Sequence, residues 1–132
     1  MLGLDLNLNL PTKSSREVDP SVVYDTLVIG AGPAGLNAAL YAKRKGLEVG
    51  VLAERIGGQV LDTSLVENWL GVNKISGEGL IKTYESHVKE YDVPITGGIR
   101  VERVTNGDVK QVHAGNGTTY QARTLILATG TL

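Results

Sequence analysis

Cysteine is absent from this sequence, and so is phenylalanine. Without cysteine, the 132 residues form no disulfide, offer no thiolate to a metal and carry no cysteine-based redox centre. Neither sign of charge dominates, because 13 Lys and Arg side chains stand against 14 Asp and Glu side chains. This balance gives no reason to expect nucleic acid or an anionic membrane as a partner.

Long apolar runs are also missing. None approaches the roughly 20 residues that a membrane-spanning helix needs. The N-terminus lacks a basic region followed by an apolar core, which is the pattern of a secretory signal. We therefore expect a cytoplasmic location and no membrane partner. The length suits one domain with a substantial core better than two domains of ordinary size.

The first 21 residues differ in character from the rest. Leucine alternates with Gly, Asp or Asn from Leu2 to Leu10, which is the period of a half-buried strand. Pro11 ends this pattern, and the residues from Lys13 to Pro20 are mostly polar and typical of a linker. We interpret residues 1–21 as an extension with an edge strand or docking arm, and residues 22–132 as the domain proper.

A strand–helix–strand unit begins at Val22. The apolar positions from Val22 to Ile29 predict a buried parallel strand. The segment from Pro33 to Lys45 predicts a helix, since proline is favoured at the first helical position. Leu47 to Ala53 predicts a second buried strand, and the whole has the roughly 30 residues of a βαβ unit.

Further elements are predicted beyond a loop-rich segment over residues 54–78. A second helix is predicted from Gly79 to Tyr91. Short strands follow, with hairpin signals at residues 106–108 and 115–117; they are Ile95 to Val104, Val109 to Ala114, Thr118 to Ala122 and a last apolar run from Thr124 to Ala128. The predicted fold class is α/β: a Rossmann-like domain with a parallel sheet, helices and a small β-meander.

The turn between the first strand and the first helix has a phosphate-binding pattern, Gly30-Ala31-Gly32-Pro33-Ala34-Gly35. A strand precedes it, a helix follows it, and Glu54 stands at the end of the next strand. Gly30 allows the tight turn, Gly32 lets the backbone approach a pyrophosphate, and Gly35 lets the helix pack closely on the strand. The helix N-terminus offers unpaired N–H groups to the phosphates.

This pattern alone does not choose between NAD and FAD. Arg55-Ile56-Gly57-Gly58-Gln59 places two glycines and a carboxamide after the acid, so the loop can pass close to a bulky cofactor. Asn68 adds a donor and an acceptor that suit the edge of a flavin's pyrimidine ring. These features favour FAD, and an NAD-dependent dehydrogenase remains a weaker alternative.

Together these motifs resemble the N-terminal FAD-binding part of the thioredoxin reductase family of pyridine nucleotide-disulfide oxidoreductases. Within that family, the flavoprotein subunits of alkyl hydroperoxide reductases are the most similar. The resemblance covers Val22 to Gly130, and the segments that carry it are Tyr24 to Gly35, Ala53 to Arg55, Gly57 to Thr63, Glu67-Asn68-Trp69 and Ile126 to Gly130. It implies electron transfer from NAD(P)H through FAD to a disulfide, a thioredoxin-like or peroxiredoxin partner, and a homo-oligomer.

The resemblance also implies roles for individual residues. The loop from Gly30 to Gly35 would hold the FAD pyrophosphate, Glu54 would bind the adenosine ribose, and Arg55 would lie beside the adenine. The other implied cofactor contacts are Gly57, Gly58 and Gln59 along the cofactor, Thr63 in reach of it, Asn68 facing the isoalloxazine, Val101 offering backbone groups to the adenine, and Ala128, Thr129 and Gly130 closing over the pyrophosphate. No catalytic residue and no metal site is predicted, and His87 and His113 are read as ordinary surface residues.

The sequence also departs from the family. Family members continue with an NAD(P)H-binding domain, a CxxC disulfide and a returning segment that completes the FAD domain, and none of these is found here. We therefore expect a truncated FAD-binding domain that is a fragment or a split subunit, with a separate NAD(P)H and disulfide domain as its partner. The alternative is a non-enzymatic dinucleotide-binding module that binds FAD weakly or not at all.

Overall fold

The structure is a computed structural model that describes residues 16–131. The strand predicted between Leu2 and Leu10 therefore lies outside the described residues. The described elements, in chain order, are β1 (Val23–Ile29), α1 (Pro33–Arg44), β2 (Val49–Leu52), a 3₁₀ helix (Gly58–Asp62), α2 (Gly77–Glu90), β3 (Ile95–Thr96), β4 (Val101–Thr105), β5 (Lys110–Ala114) and β6 (Thr119–Leu127). Between residues 16 and 131, no helix is long and apolar enough to cross a membrane.

One mixed sheet joins all six described strands in the order β3-β2-β1-β6-β5-β4. Strands β3, β2, β1 and β6 are mutually parallel, whereas β4, β5 and β6 form an antiparallel meander. β6 belongs to both parts: Ala122 pairs with β5, and Ile126 pairs with Val28 of β1. The predicted α/β sheet with a small meander is thus confirmed.

The two faces of the sheet carry separate apolar cores. Helices α1 and α2 cover one face, where Leu36, Leu40 and Val88 pack against Val28 and Val51. The second core is built mainly from strand residues, with Val18 from the extension and Ile99 from the segment between β3 and β4. Its other large members are Tyr24, Leu27, Ile29, Leu52, Val112 and Tyr120. Burial on both faces explains why β2 reads as an uninterrupted apolar run.

The described part of the extension packs on the domain. Val18 is only 4% exposed, and its backbone N–H donates to the Thr96 hydroxyl at 2.9 Å. Arg16 donates to the backbone carbonyl of Asp92 at 2.7 Å and forms an ion pair with its carboxylate. These contacts fix the polar segment from Arg16 to Val18 next to β3.

The division into strands differs from the prediction in two places, apart from shifts of one or two residues at other strand ends. The stretch from Ile95 to Val104 is two strands, because Gly98 has a positive φ of 72° and turns the chain between β3 and β4. In contrast, the two runs predicted on either side of Arg123 form one strand, β6. Arg123 is exposed, and β6 keeps the same register with β1 before and after it, so a single polar residue does not end the strand.

Candidate functional site

The candidate site lies at the carboxyl ends of β1, β2 and β6. These strands are parallel, so the residues that follow them meet at one edge of the sheet. Gly30 follows β1, Ala53 follows β2 and Ala128 follows β6. In the sheet, β2 is the neighbour of β1 on one side and β6 is its neighbour on the other. A crevice at such a switch in strand order is the usual ligand site of open α/β sheets.

Gly30 and Gly35 sit where no side chain fits. A Cβ at Gly30 would lie 2.0 Å from the backbone oxygen of Ala128, and the residue has a φ of 114°. A Cβ at Gly35 would lie 2.0 Å from the backbone oxygen of Gly30. Both contacts involve backbone atoms that cannot rotate away. These glycines therefore allow the turn and the close approach of α1 to the strand ends.

Gly32 is different, because the protein leaves space in front of it. The nearest atom to a Cβ built there is the backbone oxygen of Gly57 at 3.8 Å, and the φ of −78° suits any residue. Gly32 is the N-cap of α1, and no side chain caps the first turn. The N–H groups of that turn thus have no side-chain partner, and a Cβ at Gly32 would stand beside them. This arrangement fits a phosphate group.

A second glycine turn borders the same crevice. The N–H of Gly57 donates to the backbone oxygen of Ala31 at 2.8 Å, and a Cβ at Gly58 would lie 3.6 Å from the Cα of Gly32. Arg55 fixes this turn, because its guanidinium donates to the Gly58 carbonyl at 2.5 Å and to Asp62 at 3.0 Å. Two glycine loops therefore meet over the N-terminus of α1.

A cavity of about 300 Å³ opens on one side of the crevice. Glu54 and Arg100 are the charged residues in its lining, and their side chains approach within 3.5 Å. The other lining residues come from the strand ends and the segments after them: Ile29, Gly30, Leu52, Ala53, Ile99, Val101, Thr129, Gly130 and Thr131. The predicted residues Glu54, Val101, Thr129 and Gly130 are thus brought together here with Gly30.

Thr63 and Asn68 line a different cavity, of about 520 Å³, beyond the 3₁₀ helix. Val60 and Leu80 form part of its apolar wall, and Trp69 lies beside Asn68. The Trp69 ring packs edge to face on Tyr84 with 5.8 Å between the centroids. The predicted residues that line a cavity therefore form two groups, one in each cavity. An elongated ligand would be needed to reach both.

Gln59 links the glycine turn to the segment that follows β6. Its carboxamide nitrogen donates to the backbone oxygen of Thr131 at 2.7 Å and lies 2.9 Å from the Thr131 hydroxyl. Thr131 and Arg100 are site residues that the sequence interpretation missed. The only signal for Arg100 was its place directly before Val101.

Other polar residues lie away from the crevice. His113 bridges the hydroxyls of Thr105 and Thr119 at 2.8 and 3.2 Å, and His87 packs against Tyr91. No group of three or more acidic or histidine side chains is placed to hold a metal ion among residues 16–131. The polar residues best placed to bind a ligand in the described chain are therefore those around the two glycine loops.

Comparison with known proteins agrees with this geometry. Residues 24–132 match the family described as pyridine nucleotide-disulphide oxidoreductase. An alkyl hydroperoxide reductase subunit of Pseudomonas putida is 41% identical over 128 residues, which are 95% of this chain and 25% of that protein. A protein named NADH dehydrogenase from Bacillus subtilis is 45% identical over 107 residues, 81% of this chain and 21% of the relative.

A solved structure extends the match to three dimensions. Thioredoxin reductase from Streptococcus pyogenes superposes with a TM-score of 0.77 and 39% identity, over 82% of this chain and 35% of that one. The chain thus spans about a quarter of the curated relatives and about a third of this reductase. The resemblance read from the glycine loops is confirmed, and the chain belongs to the pyridine nucleotide-disulphide oxidoreductase family.

Proposed function

We propose that this chain is the FAD-binding part of a thioredoxin reductase-like flavoprotein oxidoreductase. The observation that carries the proposal is the meeting of two glycine loops at the uncapped N-terminus of α1, together with two separate cavities that predicted cofactor residues line. FAD has a diphosphate in the middle and a bulky group at each end. When bound, its isoalloxazine supplies the capacity to accept and release electrons.

The adenosine half is assigned to the smaller cavity. Glu54 accepts hydrogen bonds from the ribose hydroxyls, and the backbone of Val101 faces the adenine. The diphosphate lies over the loop from Gly30 to Gly35, covering Ala31, Gly32, Pro33 and Ala34, with Ala128, Thr129 and Gly130 on its other side. Arg55 supports this half by holding the carbonyl of Gly58.

The flavin half is assigned to the larger cavity. Gly58 lets the cofactor pass close to the phosphate loop, since its φ is positive and a Cβ built there would lie 3.6 Å from the Cα of Gly32. Gly57 holds this turn through its N–H bond to Ala31, and it has no room for a side chain because a Cβ there would meet Leu61 and Ile81 within 3.0 Å. Thr63 and Asn68 offer hydroxyl and carboxamide groups to the ring edge. Gln59 contacts the cofactor once its bond to Thr131 is released or shared.

The activity of the whole protein is part of the proposal. In a complete reductase of this kind, NAD(P)H is the electron donor and a disulfide is the acceptor. This chain contributes no cysteine, so the disulfide belongs to another segment or another chain, and a thioredoxin-like protein or a peroxiredoxin is the proposed final acceptor. A homo-oligomer and a cytoplasmic location remain predictions.

Reconstitution with FAD tests the binding proposal. The purified protein should quench flavin fluorescence and retain a yellow colour after gel filtration. Gly32→Val should abolish both, because its side chain fills the space that the diphosphate needs. Gly107→Val, in the exposed turn before β5, is the matched control and should bind like the parent. If Gly32→Val also binds FAD like the parent, the loop is not the phosphate site.

A non-enzymatic module is the second candidate, and the end of β6 favours it. Leu127 is 70% exposed and Ile126 is 36% exposed, although both lie in a strand next to the core strand β1. Such a surface is available to another polypeptide. The test mixes this chain with the NAD(P)H and disulfide domain of a relative and measures NAD(P)H-driven disulfide reduction. Weak or absent FAD binding, with no activity in the mixture, would favour the module.

A further inference from the structure

Arg100 stands at a cavity wall where two opposite charges lie close together. Its guanidinium lies 3.5 Å from the carboxylate of Glu54, and both side chains line the smaller cavity. Both are also well exposed, at 69% and 67% of the side-chain surface. An exposed pair of this kind adds little to the stability of the fold. Its position therefore calls for a reason other than folding.

The backbone holds Arg100 at this wall. After β3, the N–H of Gly98 donates to the carbonyl of Glu54 at 3.1 Å, and the N–H of Ile99 donates to that of Ala53 at 3.0 Å. On the other side, the carbonyl of Arg100 accepts from Gly115 at 2.8 Å. The segment that carries Arg100 is thus tied both to the end of β2 and to the meander. This anchoring keeps the guanidinium near Glu54 without fixing its side-chain atoms.

Arg55 does not occupy this place in the structure. Its guanidinium is engaged with Gly58 and Asp62, and Arg55 is not among the residues that line the smaller cavity. Without Arg100, the charged group of that cavity would be the carboxylate of Glu54 alone. An isolated negative charge there would repel an anionic ligand such as a nucleoside diphosphate.

We infer that Arg100 is a positioning residue for the adenosine diphosphate half of the cofactor. The guanidinium of Arg100 holds the carboxylate of Glu54 toward the ribose hydroxyls. Its positive charge also offsets the negative charge of that carboxylate near the diphosphate. Its planar guanidinium is also free to lie against the adenine. This inference rests on the proposed FAD site. It adds a charged residue directly before Val101 of β4 to a site whose other polar groups come from the loops after β1, β2 and β6.

Arg100→Ala tests the inference with FAD and ADP as separate ligands. We expect the dissociation constants of both to rise by the same factor, roughly threefold to tenfold, because they share the adenosine diphosphate half. Arg100→Lys should recover part of the loss, since it restores the charge but not the planar group. Arg103→Ala is the matched control, as Arg103 lies on β4, contacts Thr105 and is outside the cavity lining.

Two further readouts separate this role from a structural one. The ratio of the dissociation constants of Arg100→Ala and the parent should fall when the salt concentration is raised from about 20 mM to about 500 mM. At the higher concentration the Debye length is shorter, so the repulsion between Glu54 and the diphosphate is screened. The loss should also shrink when Glu54→Gln is already present, because the two residues act together. A melting temperature equal to that of the parent would show that the apo fold is unchanged.

The outcomes are distinguishable from failure of the FAD site itself. If the parent binds neither FAD nor ADP, the proposed function is wrong. If the parent binds both and Arg100→Ala binds them equally well, only the role of Arg100 is overturned. A loss for FAD with no loss for ADP would also overturn it, because the effect would then lie outside the adenosine half.

Discussion

Alanine at Gly35 and alanine at Gly32 should have opposite consequences, although the two glycines are three positions apart in one loop. At Gly35, the added methyl group meets the backbone oxygen of Gly30 at 2.0 Å, where ordinary contacts begin at 3.4 Å. At Gly32, the nearest atom is 3.8 Å away. The first substitution should therefore strain the fold, and the second should leave it intact.

The magnitudes follow from these distances. Gly35→Ala has to push α1 away from β1 by more than an ångström, which places it at or above the upper end of overpacking costs, about 3 kcal/mol. For a domain of this size, that cost lowers Tm by roughly 10 °C or more. Gly32→Ala keeps an allowed backbone conformation, so its apo protein should be unchanged or more stable by up to about 1 kcal/mol.

Thermal melting of both variants, with and without FAD, measures the difference. Gly35→Ala should melt well below the parent in either condition. Gly32→Ala should melt like the parent without FAD and gain much less from added FAD, because the methyl group stands where the diphosphate approaches. If Gly35→Ala melts within a degree or two of the parent, or Gly32→Ala is the less stable variant, the packing of this loop is not as described.

Three further predictions concern the core. Thr26 is buried, and its hydroxyl has no hydrogen-bond partner among the described residues. Thr26→Val should therefore raise the free energy of unfolding, measured in urea, by about 1 kcal/mol. A decrease of that size would mean that the hydroxyl does have a hydrogen-bond partner. Thr96→Val should instead lower it by about 1–3 kcal/mol, since the buried N–H of Val18 loses its acceptor, and an unchanged urea midpoint would contradict that contact. Burial raises the pKa of Tyr24 and of Tyr120 above the ordinary 10.0, so folding favours the protonated phenols. Their contribution to the free energy of unfolding should be fully present below pH 10 and should be lost as the pH rises through the raised pKa values. Tyr120→Phe should weaken this alkaline loss of stability, and an equal loss in variant and parent would contradict the prediction.

The local part of the site could be predicted from sequence because its signals are local. The strand before Gly30, the helix from Pro33 and the acid at Glu54 follow one another within a single βαβ unit. The close contacts at Gly30 and Gly35 are consequences of that local geometry. The same holds for the meander, whose turns carry glycine and asparagine at the expected positions.

The missed features depend on contacts between distant segments. Arg100 reaches Glu54 because the Gly97-Gly98 turn bonds to the end of β2, which no periodicity in the sequence reveals. The contact between Gln59 and Thr131 likewise joins residues 72 positions apart. The single strand β6 was divided because an exposed arginine interrupts its apolar run, whereas backbone pairing does not depend on that side chain.

Calorimetric titration of the parent protein with FAD, and separately with NAD⁺, tests the central claim most directly. The two cofactors share the adenosine diphosphate half, and only FAD carries the group proposed for the larger cavity beside Asn68. We predict saturable binding of one FAD per chain, competition by ADP, and weaker binding of NAD⁺. Absence of FAD binding, or tighter binding of NAD⁺ than of FAD, would contradict the assignment of this domain as a flavin site.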